Sequence, residues 1–499
     1  MNRTPSLAIL TTAACLLVLP LTATPAGAQA PGDGVRLIDG RWDDWADDDT
    51  RFVVDEHHVT LRFETPDERT LLRHGQTVVV ALDTDGEAQS GRSERGIEGA
   101  DLWIELNPTR DEADRRTPAV RVTAYNRRGR GSQVDVGDLG LHTAPTHASR
   151  RFELRFDRGE WRLQAIGLHD AGPMRAMVWL QDHDSESTTP IGVYTADAPA
   201  ATLDGPTPAD EATLPEKPEG AIRVVSWNTL WGSQLERPQR FSRLAKAIDA
   251  DVYLLQEWSN EPYTGESVAE WFERYGGPGD WAAVTTSNSG SRGSGVAVAS
   301  RLPLLAAGPA DLDARSRTRW TFPIRFAGAV IETAYGPAVF ATVHHKAGGR
   351  LGAAEDQRRL EESAAIQRAM ASMRESHGAA FVVYGGDFNL NGTFDVVDRA
   401  VAGLDTDDSA LTLADAEVLG RPGLLYTHGR SGSKRRLDYI SYPDAAFAPA
   451  QAFVVDTTVL PGETLRALGL NKNDSAASDH LPVVVDLVPI SEATRSDPE

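Results

Sequence analysis

A layered α/β domain preceded by an all-β sandwich is the fold class predicted by this sequence of 499 residues. Three observations carry it. Residues 33–197 hold short alternating apolar runs with no long helical pattern between them, residues 221–490 interleave such runs with helical periodicity, and APAATLDGPTPADEATLPEKPEG at 198–220 separates the two textures. Pro, Ala and acids without a period describe a semi-extended linker, so each half is expected to carry its own core. A chain beginning near Glu219 is therefore expected to fold alone.

The first residues stand apart. Arg3 gives a positive start, Leu7 to Leu21 is apolar, and Ala26-Gly27-Ala28 supplies a small-x-small cleavage pattern. Residues 1–28 thus predict a secretory signal peptide and a secreted or periplasmic bacterial protein. Lipid attachment at Cys15, after Thr12-Ala13-Ala14, ranks behind it because the apolar run continues past that residue. Cys15 is the only cysteine, so loss of the leader removes disulfides and thiolate metal sites from the mature chain. Later apolar runs are too short to span a bilayer, and no stable membrane insertion is expected. With 72 acidic against 50 basic side chains the net charge is −22, which disfavours loose adhesion to polyanions without excluding a locally basic site.

In the first half VTLRFE (59–64), TVVVAL (77–82), DLWIEL (101–106), AVRVTAY (119–125), FELRF (152–156) and AMVWLQ (176–181) read as strands between Gly, Pro, Asp and Asn turns. IDGRWDDW, ALDTDGEAQSG and GADLWIELN resemble bacterial sandwich modules of the family 9 carbohydrate-binding or DOMON-like kind. That resemblance implies a carbohydrate or cell-surface ligand stacked on Trp42 and Trp45, although burial in a core is the commoner use of tryptophan. Asp83 and Asp85, one residue apart before Gly86, suit Ca2+, and an acidic turn is the competing and favoured explanation.

In the second half the apolar run IRVVSWN (222–228) precedes a helix in which Phe241, Leu244, Ala245 and Ile248 recur at i, i+3, i+4 and i+7, and DVYLLQE (251–257) follows as another strand. A longer helix, about 353–373, lies between the strands VFATVHH and FVVYGGDFN. These strands end in oxygen or nitrogen ligands: Asn228, Glu257, and the pair Asp387 and Asn389. In an extended backbone that pair faces one side, and Gly385-Gly386 lets another group approach closely. RRLDYI opens an apolar strand with Asp438, and SDHLPV brings Asp479 and His480 to a strand mouth where the backbone turns. A polar strand end explains any one of them. Together they mark the edge where loops leave an α/β sheet and ligands gather.

The ordered set SWNTLWG, LLQEW, GVAVASRLPL, TVHHKAG, GGDFNLN, RRLDYI and SDHLPV resembles the endonuclease/exonuclease/phosphatase superfamily. The resemblance implies two packed mixed β-sheets flanked by helices, a four-layer sandwich, and hydrolysis of a phosphate ester with Mg2+ or Mn2+. It assigns Glu257, Asn228 and Asp479 to the metal, Asp387 or His480 to the attacking water, Asn389 to positioning, Asp438 to orienting His480, and His344, ahead of His345, to a phosphate oxygen. Arg319, with Arg317 as its rival, matches a phosphate-contacting position. The tyrosine that nuclease members carry in the strand matching GVAVASR is missing. Arg315, Arg317 and Arg319 form one basic cluster, and Lys434, Arg435 and Arg436 a second. A phosphodiesterase or nuclease is the leading expectation, with nucleic acid as substrate. Sphingomyelinase or phosphoinositide phosphatase is the alternative, and a non-catalytic binding protein with an inactive hydrolase fold is the alternative of another class. No G-x-S-x-G elbow of a serine esterase occurs in this half.

Overall fold

The computed structural model describes residues 36–490 apart from 46–48, 74, 95–96, 110–118, 160, 186, 203–211, 260–262, 287–294, 316–320 and 430–433. The signal-peptide expectation at 1–28, the Cys15 alternative, Arg317 and Arg319 lie outside the described residues. So does much of the linker expected at 198–220.

The first half is a sandwich of two antiparallel sheets. Four strands (Phe52–Val54, His58–Arg69, Ser149–Asp157, His142–Ala144) face six (Thr188–Ala198, Gly172–Asp182, Gln76–Asp83, Leu102–Leu106, Val120–Tyr125, Gly131–Val134). Alternation decides what lies between them: Leu61, Phe63, Val78, Val80, Leu102 and Ile104 share one buried cluster, while Val79, Ala81 and Trp103 pack on the other side of the larger sheet. Trp45 is buried and its indole N–H donates 2.6 Å to Glu153. Trp42 lies under the guanidinium groups of Arg51, Arg62 and Arg151. These indoles therefore belong to the packing of the sandwich.

The second half stacks two mixed sheets between helices. In the seven-stranded sheet Val252–Trp258 and Ile222–Asn228 run parallel at the centre, and Val483–Pro489 lies antiparallel beside them. In the six-stranded sheet Gly336–His344 and Phe381–Asp387 are the parallel pair, with Asp438–Tyr442 antiparallel beside Phe381–Asp387. Val224, Leu254, Phe340, Val383, Ile440 and Val485 fill the space between the sheets. The opposite face of the first sheet, Val225, Tyr253 and Leu255, receives Phe241, Leu244 and Ile248 of the helix Pro238–Ile248. Val339, Ala341 and Val343 receive Ile366, Met370 and Met373 of the helix Ala354–His377. Near-continuous apolar strands result, because both faces are covered.

The two halves are not autonomous in packing. Ile38 and Ala144, from the sandwich half, join the core between the two sheets of the second half. Ile38 N–H donates to Gly423 O at 2.8 Å, Ala148 N–H to Gly392 O at 2.8 Å, and Arg155 to Pro422 O at 2.6 Å. Thr70 Oγ1 donates to Asn391 O at 2.6 Å, and Arg436 N–H donates to Thr146 Oγ1 at 2.9 Å. Linker composition predicts two separate halves but carries no information about which surfaces dock across it.

Candidate active site

Strand parity assembles the site. Ile222 and Val224 point between the sheets, so Asn228, at the end of the same alternation, does too; Phe340 does the same for His344, Phe381 and Val383 for Asp387, and Ile440 for Asp438. Glu257 has the opposite parity. Its φ of +54° and a break in pairing register between Gln256 and Trp258 turn it back toward the other ligands. At Gly386, φ +143°, a Cβ would stand 2.1 Å from Val343 O, so close strand approach requires glycine.

Asp387 is buried, Glu257 is half-buried, and both are tethered. Asn228 Nδ2 donates to Glu257 Oε1 at 3.2 Å and to Asp387 Oδ2 at 3.1 Å, while its Oδ1 accepts from Leu230 N–H at 3.0 Å. Trp231 N–H donates to Glu257 Oε2 at 3.0 Å. His344 Nε2 stands 3.7 Å from Glu257 Oε1 and 3.5 Å from Asp387 Oδ2. Arg325 fixes the ring: its guanidinium donates 2.8 Å to His344 Nδ1, so Nδ1 accepts and the proton of the neutral imidazole resides on Nε2. Burial first, and Arg325 second, hold His344 well below the ordinary imidazole range.

Asp438 accepts from His480 Nδ1 at 2.8 Å and from Thr427 Oγ1 at 2.7 Å, and His480 Nε2 stands 3.7 Å from Asp387 Oδ2. Burial opposes charge on His480, but Asp438 and Asp387 outweigh it and lift the group to about 10. Burial pushes Asp387 up to about 6, with His480 working against that rise. Burial likewise raises Glu257. Buried carboxylates of this kind are stabilised by a cation.

Glu257, His344 and Asp387 form one group whose potential ligand atoms lie within 4.8 Å of one another, and Asp387, Asp438 and His480 form a second. Asp479 instead groups with His428 and His480. Asn228 presents its amide N–H to the carboxylates, a tethering geometry. Asn389 does not continue an extended strand: at φ +45° it turns, its N–H donates 2.9 Å to Asp387 Oδ1, and its Nδ2 donates 3.3 Å to His345 O. His345 points the other way, bonded to Glu362 at 3.0 Å and to Tyr384 at 3.3 Å. The basic cluster divides: Lys434 covers the Tyr426 ring, Arg436 pairs with Asp415, and Arg435 turns to His428.

Arg325 and His428 carry site geometry that no local motif marks. Arg325 sits inside RSRTRWTFPIRF among three other arginines, and His428 follows the apolar run LLYT into a Gly turn. In the sandwich, Asp101 joins Asp83 and Asp85. Gly86 N–H, Glu87 N–H, Thr84 and Ser90 already bond these carboxylates, as an acidic turn does.

A model of the Endonuclease/Exonuclease/phosphatase family matches residues 225–480, just over half of the chain, and spans every strand end described above. The chain belongs to this family. Similar solved structures include the human Nocturnin catalytic domain with bound sulfate anion (18% identity, 55% of this chain and 97% of that one, TM-score 0.39). Sphingomyelinase C from Streptomyces griseocarneus (16%, 53% and 99%, TM-score 0.34) is another. A third is an endonuclease/exonuclease/phosphatase family protein from Leptotrichia buccalis (17%, 54% and 100%, TM-score 0.37). No curated protein matches the chain. Members of the Endonuclease/Exonuclease/phosphatase family hydrolyse phosphoester bonds and are generally dependent on a divalent metal.

Proposed function

We propose that this protein is an exported, divalent-metal-dependent phosphodiesterase acting on nucleic acid. The observation that carries the catalytic part is the convergence of Glu257, His344 and Asp387 within 4.8 Å, beside the buried Asp438 and His480 pair. Export rests on the leader pattern of residues 1–28. The donor set fits a hard cation: two carboxylates, raised by burial and linked by one amide, lie within reach of a common centre, as Mg2+ or Mn2+ requires. Glu257 and Asp387 would hold the ion. When bound it supplies polarisation of a phosphoryl oxygen.

The chain's own groups do the rest. His344, held by Arg325, donates from Nε2 to a phosphate oxygen. His480, with Nδ1 committed to Asp438, donates from Nε2 to the same group. Asp387 Oδ2 accepts a proton from the attacking water, and its other oxygen is fixed by Asn389 N–H. Asn228 keeps the carboxylates apart and aligned.

A lipid phosphodiester is the second reading, favoured by Trp231 and Leu235, which stand 68% and 48% exposed beside the Glu257 loop. The test is a panel of single-stranded DNA, RNA, sphingomyelin vesicles and phosphoinositides with Mg2+. Faster hydrolysis of the nucleic acids is expected; hydrolysis of the vesicles alone would replace the substrate assignment.

A further inference from the structure

A cavity of about 740 Å3 opens between the sandwich and the catalytic half, within the size range of ligand sites. Thr70, Arg73, Thr146 and His183 line it from the sandwich, and Asn391 and Arg435 from the other half. It abuts the candidate active site along two connections. Asn391 N–H donates 2.7 Å to Asn389 O, and Arg435 donates 3.2 Å to His428, whose ring meets that of His480 edge-on at 4.6 Å between centroids. Arg435 Nε is buried with no hydrogen-bond partner, and the field of Arg73 also reaches His428. Two guanidiniums thus share one polar cleft in a protein of net charge −22, with Asp184 the acid among its walls.

We propose that this inter-domain cleft seats the single strand flanking the scissile phosphate, with Arg73 and Arg435 taking its backbone phosphates. The proposal rests on the phosphodiesterase function above and deepens it. Guanidinium groups match phosphate oxygens with paired N–H donors, and a polar groove that tracks a backbone is how single strands are held without base readout. The Thr146 hydroxyl and the second N–H of the Asn391 amide supply further donors along the same wall, while the Thr70 hydroxyl is committed to Asn391 O. The sandwich is then part of the substrate site, and the docking of Ile38 and Ala144 into the catalytic core keeps Arg73 in register with Arg435.

The test uses the full chain in chelator, so that binding is read without cleavage, with a fluorescently labelled single-stranded oligothymidylate followed by anisotropy. Arg73→Ala is expected to weaken binding about tenfold, the scale of one charge-assisted contact, and to reduce the salt slope by about 0.7. Arg73→Lys recovers part of both, and Arg73→Glu loses more than Arg73→Ala. Oligothymidylate binding that ignores Arg73, no binding at all, or capture of sphingomyelin vesicles in its place overturns the proposal. Hydrolysis of bis(4-nitrophenyl) phosphate by the wild-type chain with Mg2+ separates the two levels. Hydrolysis alongside Arg73-independent binding removes the cleft alone, whereas Arg73-dependent binding without hydrolysis supports the cleft and removes the phosphodiesterase.

Discussion

Asp438 accepts a 2.8 Å hydrogen bond from His480 Nδ1, and both side chains are buried. The bond leaves Nε2 as the working nitrogen, 3.7 Å from Asp387. His480→Ala is expected to lower turnover of bis(4-nitrophenyl) phosphate by roughly 100-fold or more, the scale of a general acid or base, with the far-UV spectrum unchanged. Asp438→Asn disturbs ring orientation but keeps the ring, so its loss is smaller. Near-native turnover of the His480→Ala protein removes the histidine from the mechanism.

Arg325 acts through His344. Its guanidinium donates to His344 Nδ1 at 2.8 Å and to His345 O at 2.7 Å, tying two consecutive residues at the strand end. Arg325→Ala is predicted to reduce kcat/KM about tenfold, and the double variant with His344→Ala to lose little more than His344→Ala alone. Additive losses would show that Arg325 works independently of the imidazole.

Removing the sandwich exposes the pocket that Ile38 and Ala144 fill in the core between the two catalytic-half sheets. Burial of one such isoleucine contributes about 1.5–3 kcal/mol, before the interface hydrogen bonds are considered. A chain beginning at Glu219 is therefore expected to melt several degrees below the full protein or to aggregate, as followed by calorimetry and light scattering. An unchanged melting temperature would mean that the docking contributes nothing to stability.

Much of this arrangement is legible in the sequence, and the illegible part has a physical cause. Period-two runs and the i, i+3, i+4 pattern of Phe241 to Ile248 identify strands and helices because both faces of each sheet are covered by apolar neighbours. Asn228, Asp387 and Asp438 are readable as site residues because strand parity is local, whereas parity separates His344 from His345 without choosing between them and the choice of His344 rests on the family resemblance. Glu257 and Asn389 obey no parity: their left-handed φ values of 54° and 45° depend on the surrounding fold. Asp479 and His480 share one grouping with His428, and only His480 also joins Asp387 and Asp438, because neighbouring side chains diverge at the strand mouth. The cleft at Arg73 was hidden because the linker texture signals separation while docking is decided by three-dimensional surfaces.

Arg223 and Asp486 form a bidentate pair between the adjacent strands Ile222–Asn228 and Val483–Pro489, with both bonds at 2.7 Å and side chains 3% and 0% exposed. Arg223→Met strands a buried carboxylate and is expected to cost about 3–5 kcal/mol in urea unfolding. The double variant with Asp486→Leu should recover most of that loss. A single-variant cost below about 1 kcal/mol would contradict a well-matched buried pair, whose loss belongs on the larger scale.

Metal-dependent phosphodiester hydrolysis at Glu257, His344 and Asp387 is read from the initial rate on bis(4-nitrophenyl) phosphate as Mg2+ or Mn2+ is titrated into chelator-stripped protein. No activity is expected in chelator, with saturable recovery on adding either ion, and a Glu257→Gln protein is expected to keep its fold while needing far more metal and turning over far more slowly. Full activity after exhaustive chelation, or a Glu257→Gln protein with the wild-type metal response, would contradict it.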